Sequence, residues 1–243
     1  MAIDEAILEA HLMGKVPPTL RFYGWEPPAV SLGYAQKLPT ESVNRIHEMG
    51  FDIVKRPTGG RAVLHFGELT YSFVGSTDAQ LRESILDAYK QICSGLLEGL
   101  RLLGVELEIG SGQPAHRQMH DCFLATTTAD LHFGGKKMVG SAQLRRKHAV
   151  LQHGSILLSQ PQDLMPKLLY PVTAAESAAS LKRHANLFEI LKREPTYKEL
   201  QAAFHKGFEK AFATRFEPGE LTELESQLAT ALLQNKPGET IPV

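Results

Sequence analysis

The 243 residues of this chain are enough for one domain with a helical appendage or for two small domains, each with a buried core. Its 26 basic and 27 acidic residues give a net charge of −1, and this balance indicates neither nucleic acid nor an anionic membrane as a partner. No apolar run approaches the length of a membrane span, and the start MAIDEAILEA is an acidic amphipathic helix rather than a signal sequence. We therefore expect a cytoplasmic protein.

Helical and strand patterns follow each other irregularly along the chain. The spacing of apolar residues predicts an N-terminal helix that ends near Gly14, a short helix over 41–49 and a long helix over 78–103. Alternating and β-branched runs predict strands, at 20–25, 29–34, 51–54, 62–64, 68–74, 105–109, 131–133, 138–144 and 150–158. Capping-box patterns that begin at Thr196 and Thr222 predict helices in the last third. This distribution predicts an α+β domain rather than a regular βαβ succession.

The run KRPTGGRAVLH places two glycines between two strand candidates. Gly59 and Gly60 are able to take positive φ and to let main-chain N–H groups approach a ligand, and Arg56 and Arg61 bring positive charge to the same turn. The pattern is typical of a pocket for an acyl or phosphate-bearing ligand. It is equally typical of a tight hairpin turn with solvated arginines.

The two cysteines have different surroundings, and we expect both to be free thiols. Cys93 lies beside the apolar stripe of the long predicted helix, which favours a buried, unreactive side chain. Cys122 ends an irregular loop and follows His116, Arg117 and His120. Nearby positive charge lowers a thiol pKa and creates a nucleophile, although a structural cysteine at the start of a strand fits the pattern as well.

Three more side chains are candidates for chemistry. Lys136 and Lys137 follow the Gly134-Gly135 hairpin and should face opposite sides of the strand. Lys137 would stabilise a developing oxyanion if it points into a pocket, and is a solvated hairpin lysine otherwise. His65 and His153 close or interrupt apolar strands, which favours core histidines bonded to the backbone.

Taken together, these segments resemble a family. KRPTGGRAVLH, Cys122-Phe123, GGKKMVGSAQ and LQHGSILL occur in the order and spacing of the lipoate and biotin protein ligase superfamily, and in particular of its octanoyltransferase branch of the Gram-positive and cyanobacterial type. MAIDEAIL, LRFYGWEPPAVSLGYAQ and ELTYSFV are similar to the same pattern, so that the resemblance covers roughly residues 1–215.

The resemblance implies a fold as well as a function. It implies the catalytic-domain fold of these ligases, an α+β fold with mixed, largely antiparallel sheets flanked by helices. We expect a catalytic acyltransferase core over 1–160 and a helical C-terminal subdomain of the same domain over 161–243. Compared with the family pattern, the chain opens inside the first helix, carries Phe66 after His65, and lacks an aromatic-bearing C-terminus.

The activity implied by the resemblance is transfer of an octanoyl group from octanoyl acyl carrier protein to a lysine of a lipoyl domain, through a cysteine thioester. The acceptors would be the glycine cleavage H protein and the E2 subunits of 2-oxoacid dehydrogenases. Cys122 matches the nucleophile and Lys137 matches a pocket lysine that holds the acyl carbonyl. The resemblance also implies a substrate-binding set, namely Arg56, Gly59, Gly60, Arg61, His65, Gly140, Ser141, His153 and Gly154. A thioester is already activated, so we expect no cofactor, neither ATP nor a metal.

Three other functions remain open at this point. A lipoate ligase would form an acyl-adenylate from ATP and free acid with the same lysine and glycine loop, and would need no cysteine. An amidotransferase would use Cys122 to move octanoyl or lipoyl groups between carrier domains. A non-catalytic module would keep the fold and bind lipoyl domains or acyl carrier protein, although the joint presence of Cys122, Lys137 and both glycine loops argues against it.

Overall fold

The computed structural model describes residues 1–110, 130–159, 164–169 and 183–234. Its helices are α1 (Ala2–Leu12), α2 (Thr40–Glu48), α3 (Ile85–Leu102), α4 (Leu164–Leu169), α5 (Leu187–Leu191), α6 (Tyr197–Phe212) and α7 (Glu223–Gln234). Its strands are β1 (Thr19–Tyr23), β2 (Ala29–Leu32), β3 (Asp52–Lys55), β4 (Val63–His65), β5 (Glu68–Ser76), β6 (Glu108–Ile109), β7 (Leu131–Phe133), β8 (Lys136–Arg146) and β9 (Ala149–Leu157).

The strands form two sheets. The larger has six strands in the order β1-β5-β9-β8-β7-β6, and every pair in it is antiparallel. The smaller has the order β3-β2-β4, with a parallel β2–β3 pair and an antiparallel β2–β4 pair. The predicted α+β fold with mixed, largely antiparallel sheets is therefore confirmed, as is the antiparallel pairing of strand 68–74 with its neighbours.

The two faces of the large sheet carry different side chains because residues alternate along each strand. On β5, Leu69, Tyr71 and Phe73 belong to the main apolar core, which also contains the buried stripes of α3 and α6. Val74 belongs to a second cluster, with Leu8 of α1 and Leu151 of β9. Helix α1 therefore covers the face that also carries Thr70 and Ser72, two polar side chains that are buried beside it.

Local chemistry explains where the helices begin. Helix α3 begins at Ile85 rather than at position 78, because the Ser84 hydroxyl accepts a hydrogen bond from the Asp87 amide, 3.4 Å away, and caps the helix there.

The predicted strand over 105–109 is wrong except for its last two residues. Both predicted capping boxes are confirmed, since Thr196 and Thr222 each exchange hydrogen bonds with the glutamate three residues later.

The last helices pack on elements from the first part of the chain. Helix α6 lies along α3, and α7 lies along α1.

The division of the chain at residue 160 stays a prediction. Within the ranges given above, the helices are all too short or too polar to cross a membrane.

The crossing of α3 and α6 is built from glycines. A Cβ atom added to Gly207 would lie 2.6 Å from the carbonyl oxygen of Gly95 and even closer to the amide of Gly99. Backbone atoms cannot yield as side chains do, so the Gly207→Ala variant is expected to push the helices apart and to lose about 1–3 kcal/mol of unfolding free energy or more. Urea unfolding measures the loss.

The matched control for this crossing is Gly219→Ala, because a Cβ atom at Gly219 would have no heavy atom within 4 Å. Its unfolding midpoint should stay at the wild-type value. Equal midpoints for the Gly207 and Gly219 variants would show that α3 and α6 do not meet through backbone contact.

Candidate active site

A cavity lies between the two sheets, with walls from both. It encloses about 340 Å³ of space, part of it open to solvent. The lining residues are Met1, Ser31, Arg56, Val63, His65, Thr70, Gly140, Ser141, Ala142, His153, Gly154 and Ser155. Six of the sequence-predicted site residues therefore meet here, namely Arg56, His65, Gly140, Ser141, His153 and Gly154.

His153 of β9 is buried and is bonded through both ring nitrogens. Its Nδ1 lies 3.2 Å from Oδ2 of Asp4 in α1, and its Nε2 lies 2.7 Å from Oγ1 of Thr58. Burial lowers the pKa of His153 and outweighs the hydrogen bond with Asp4, which raises it, so the ring is neutral at pH 7. Burial also acts to raise the pKa of Asp4, but the hydrogen bond from His153 and the charge of Arg21 hold that pKa well below its usual range.

The second histidine has a similar arrangement on the other side of the cavity. Nε2 of His65 lies 2.8 Å from Oγ of Ser31 in β2, and Nδ1 lies 3.3 Å from Oε1 of Glu68 in β5. The ring stacks on Trp25 with 4.2 Å between centroids. The prediction that both histidines lie in the core is confirmed, but the predicted backbone partners are wrong, because carboxylates and hydroxyls bind them instead.

Arg56 holds the glycine loop, residues 56–61, together from inside. Its guanidinium is buried and donates to the carbonyl oxygens of Ser31 (3.0 Å), Gly59 (3.0 Å) and Arg61. A solvated arginine is therefore wrong for this position, whereas the predicted part of Arg56 in substrate binding stays a prediction. The predicted positive φ is confirmed at Gly60, where φ is +96°, but Gly59 does not adopt it.

The outer side of the glycine loop presents main-chain amides. Gly59 and Gly60 are exposed, and their N–H groups donate to no acceptor in the described part of the chain. The Gly59 carbonyl points inward to Arg56, so the Gly60 N–H of the same planar peptide unit points the opposite way. Such a pair of amides is able to receive a carbonyl oxygen or an anion.

Lys137 of β8 is buried in an ion pair. Its Nζ lies 2.9 Å from Oδ2 of Asp130, and both side chains are almost inaccessible. A solvated hairpin lysine is therefore wrong, whereas the opposite orientations of Lys136 and Lys137 are confirmed, because Lys136 is exposed. Lys137 is not among the residues that line the cavity, although Gly140 on the same strand is.

Ser141 and Gly154 support the sheet from the core side as well as lining the cavity. The Tyr71 hydroxyl donates to Oγ of Ser141 over 2.6 Å. A Cβ atom at Gly154 would lie 2.8 Å from the ring of Tyr71 and would also collide with the Gly140 carbonyl. Gly154 is therefore required where β8, β9 and the Tyr71 ring come together.

Five polar residues that the sequence did not single out belong to this site: Asp4, Ser31, Thr58, Glu68 and Asp130. All of them are buried. The available signal was their position, since Asp4, Ser31 and Glu68 lie within or beside apolar runs that form buried elements. A polar residue in such a run requires a buried partner. The partners themselves come from distant parts of the chain, and no local pattern indicates them.

The structure describes one of the two cysteines, Cys93. Cys122 lies outside the described residues. Cys93 is buried in the core, where burial raises the pKa of its thiol to about 12. The Cys93 thiol therefore stays protonated at neutral pH and is a poor nucleophile, as its position in the predicted helix indicated.

The Cys93→Ala variant is expected to keep full acyl transfer activity. It should lose about 1 kcal/mol of unfolding free energy or less, because a small core side chain is shortened. A transfer assay and urea unfolding on the same preparation measure both effects. If the variant formed no acyl adduct, the assignment of the reactive thiol to Cys122 would be wrong.

The family model of the lipoyl protein ligase A/B catalytic domain matches residues 1–209. The chain belongs to this family. Among curated members, octanoyltransferase LipM of Symbiobacterium thermophilum is 40% identical, with 98% of this chain and 90% of the relative covered. Octanoyltransferase LipM of Moorella thermoacetica is 43% identical, with 93% and 86% covered. The predicted membership in the superfamily and its octanoyltransferase branch is confirmed, and so is the prediction of an acyltransferase.

Solved structures of lipoyl protein ligases have the same fold. Lipoate-protein ligase A bound with ATP is 27% identical, with a TM-score of 0.76 over 95% of this chain and 87% of that one. A bi-partite lipoate protein ligase from Thermoplasma acidophilum, described with its E2 lipoyl domain, is 25% identical, with a TM-score of 0.76 over 95% and 85%. The chain therefore has the catalytic-domain fold of these ligases.

Proposed function

We propose that this chain is an octanoyl-[acyl carrier protein]:protein N-octanoyltransferase that acts in protein lipoylation. The observation that carries the proposal is the similarity to octanoyltransferases LipM over 98% of the chain. The cavity between the sheets is consistent with it. Six of the sequence-predicted site residues line it.

The walls of the cavity suit an acyl chain despite the polar residues that line it. Arg56 and His65 both bind Ser31, and His153 binds Asp4 and Thr58, so these polar atoms are directed to one another rather than to the open space. The surface that remains consists mainly of carbon. The exception is Ser155, whose buried Oγ has no partner among the described residues and is available to donate to an acyl oxygen.

The proposed reaction has two steps. The Cys122 thiolate attacks the thioester carbonyl carbon of octanoyl acyl carrier protein, the C–S bond to the carrier breaks, and the carrier leaves as a thiolate. A lysine amine of a lipoyl domain then attacks the octanoyl-Cys122 thioester, forms an amide and releases the Cys122 thiolate, while the amine proton passes to solvent. Each step builds negative charge on the acyl oxygen, which Lys137 and the amides of Gly59 and Gly60 would stabilise.

The proposed acceptors are lipoyl domains, those of the glycine cleavage H protein and of 2-oxoacid dehydrogenase E2 subunits. Support comes from the family itself and from a relative of the same fold that was described with its E2 lipoyl domain. The site would require no ATP, because the energy of the donor thioester is retained in the Cys122 adduct.

An ATP-dependent lipoate ligase is the second candidate. It is favoured by the fold shared with lipoate-protein ligase A bound with ATP, at 27% identity. Cys122 separates the two functions, because adenylate chemistry does not use a thiol nucleophile.

Intact-protein mass after incubation with octanoyl acyl carrier protein, without ATP, tests the proposal. Wild type and the control Cys93→Ala should gain one octanoyl group that hydroxylamine removes, and Cys122→Ala should gain none. A lipoyl domain added next should remove the adduct. An octanoylated carrier domain is then supplied as donor in place of octanoyl acyl carrier protein. Efficient transfer from the carrier domain alone would identify an amidotransferase. Wild type that forms no adduct, yet acylates lipoyl domains from free acid and ATP, would be a ligase.

A further inference from the structure

A buried chain of hydrogen bonds runs from helix α1 to the glycine loop. Asp4 Oδ2 lies 3.2 Å from His153 Nδ1, and His153 Nε2 lies 2.7 Å from Thr58 Oγ1. The exposed fractions of these three residues are 0%, 3% and 0%, so water does not compete for the bonds. Thr58 is followed directly by Gly59 and Gly60, whose amides donate to no acceptor among the described residues.

The charge state of Asp4 decides the direction of these bonds. The charged and titratable groups around His153 are Asp4 of α1, the N-terminal amine of Met1 and Arg56 of the glycine loop, while Arg21 and Tyr23 of β1 bind its partner Asp4. Arg21 and Tyr23 both donate to the Asp4 carboxylate, over 2.8 and 2.7 Å, which keeps it ionised. A carboxylate only accepts, so His153 carries its proton on Nδ1, and its Nε2 accepts the Thr58 hydroxyl proton.

Thr58 is held at two points. Its hydroxyl donates to His153, and its carbonyl accepts the Tyr34 amide over 2.9 Å. Arg56 binds the carbonyls on either side of Gly60. The bond to His153 is therefore the one contact in this set that joins the loop to the large sheet.

We propose that Asp4 and His153 are positioning residues, which hold Thr58 and thereby place the Gly59 and Gly60 amides for the acyl carbonyl. The inference rests on the proposed function, because it assigns those amides to the acyl oxygen. Asp4 itself touches no substrate. Its effect on transfer passes through the tautomer of His153, in the way that a buried carboxylate sets the tautomer of a catalytic histidine.

Nitrogen NMR of the His153 ring tests the first link. Wild type should show a protonated Nδ1 and an unprotonated Nε2. In Asp4→Asn, the amide is able to donate to Nδ1, so the proton should move to Nε2 and the Gly59 and Gly60 amide signals should shift. The matched control is Glu9→Gln on the same helix, whose carboxylate pairs with Arg146 instead. An unchanged tautomer in Asp4→Asn would overturn the proposal.

Transfer kinetics test the second link. Thr58→Val should lower kcat by about 10- to 100-fold, because small displacements of a positioned group reduce rates by that much. Thr58→Ser keeps the hydroxyl and should restore the rate to within about threefold of wild type. The double variant Asp4→Asn, Thr58→Val should be no slower than the slower single variant. A Thr58→Val enzyme with the wild-type kcat would overturn the proposal.

The two tests separate this inference from the proposed function. Wild type that transfers no octanoyl group from acyl carrier protein would contradict the function, while the tautomer and the Gly59 and Gly60 signals would still report on the hydrogen bonds. An active wild type whose Gly59 and Gly60 signals stay unchanged in both Asp4→Asn and Thr58→Val would contradict the inference alone.

Discussion

Lys137→Met is expected to slow acylation of the enzyme by about tenfold or more, because the proposed reaction would lose the buried cation that stabilises negative charge on the acyl oxygen. The same change removes the partner of Asp130, 2.9 Å from Nζ, and leaves its carboxylate buried without that cation. Breaking a buried pair in this way lowers unfolding free energy by about 3–5 kcal/mol. Burst kinetics with octanoyl acyl carrier protein and urea unfolding measure the two effects.

Two further variants separate catalysis from stability. Lys136→Met changes the exposed neighbour in the same strand and should leave both the burst rate and the unfolding midpoint at wild-type values. In the double variant Lys137→Met, Asp130→Asn, the buried charge of Asp130 is also removed. Much of the lost unfolding free energy should therefore return, while acylation stays slow. Recovery of the rate together with the stability would show that Lys137 has only a structural role.

Gly33→Ala is expected to lower octanoyl transfer by about 100-fold, because it displaces the loop that carries the Gly59 and Gly60 amides. A Cβ atom at Gly33 would lie 2.8 Å from the carbonyl carbon of Gly60 and closer still to its oxygen. Both atoms belong to backbone that Arg56 already holds through the carbonyls of Gly59 and Arg61, so the loop can only move away as a whole.

Gly24→Ala is the control for this contact, since a Cβ atom at Gly24 would have no heavy atom within 4 Å. Single-turnover transfer to a lipoyl domain should be unchanged in Gly24→Ala and strongly reduced in Gly33→Ala. A Gly33→Ala enzyme within about twofold of the wild-type rate would mean that the loop position does not limit the chemistry.

Local patterns predicted most of the elements and some of the site. Strand alternation placed β5 and β9, and the capping boxes placed the starts of α6 and α7, because both signals lie within a few residues of sequence. The same argument placed Lys136 and Lys137 on opposite faces. The start of α3 was wrong because apolar spacing continues through positions that Ser84 excludes from the helix.

Local sequence patterns do not predict which side chains of the site contact one another. The sequence alone suggests a solvated Arg56, because its acceptor Ser31 lies on a strand that becomes its neighbour only when the small sheet forms. Asp4 and His153 are brought together by the packing of α1 on the large sheet. Asp130 precedes the hairpin of Lys137, yet an ion pair between them requires both side chains to turn inward. Such contacts follow from tertiary packing.

The packing of α6 on the large sheet has a consequence for synthesis of the chain. Phe204 and Phe208 of α6 stack on Phe22 of β1 and Phe73 of β5, rings that leave the ribosome far earlier. Until α6 emerges, the nascent chain exposes the part of the sheet's apolar face that α6 covers in the folded protein. Pairings of such large sequence separation also make folding slow. We therefore expect newly made chains to depend on chaperones, and truncation before residue 197 to yield aggregates.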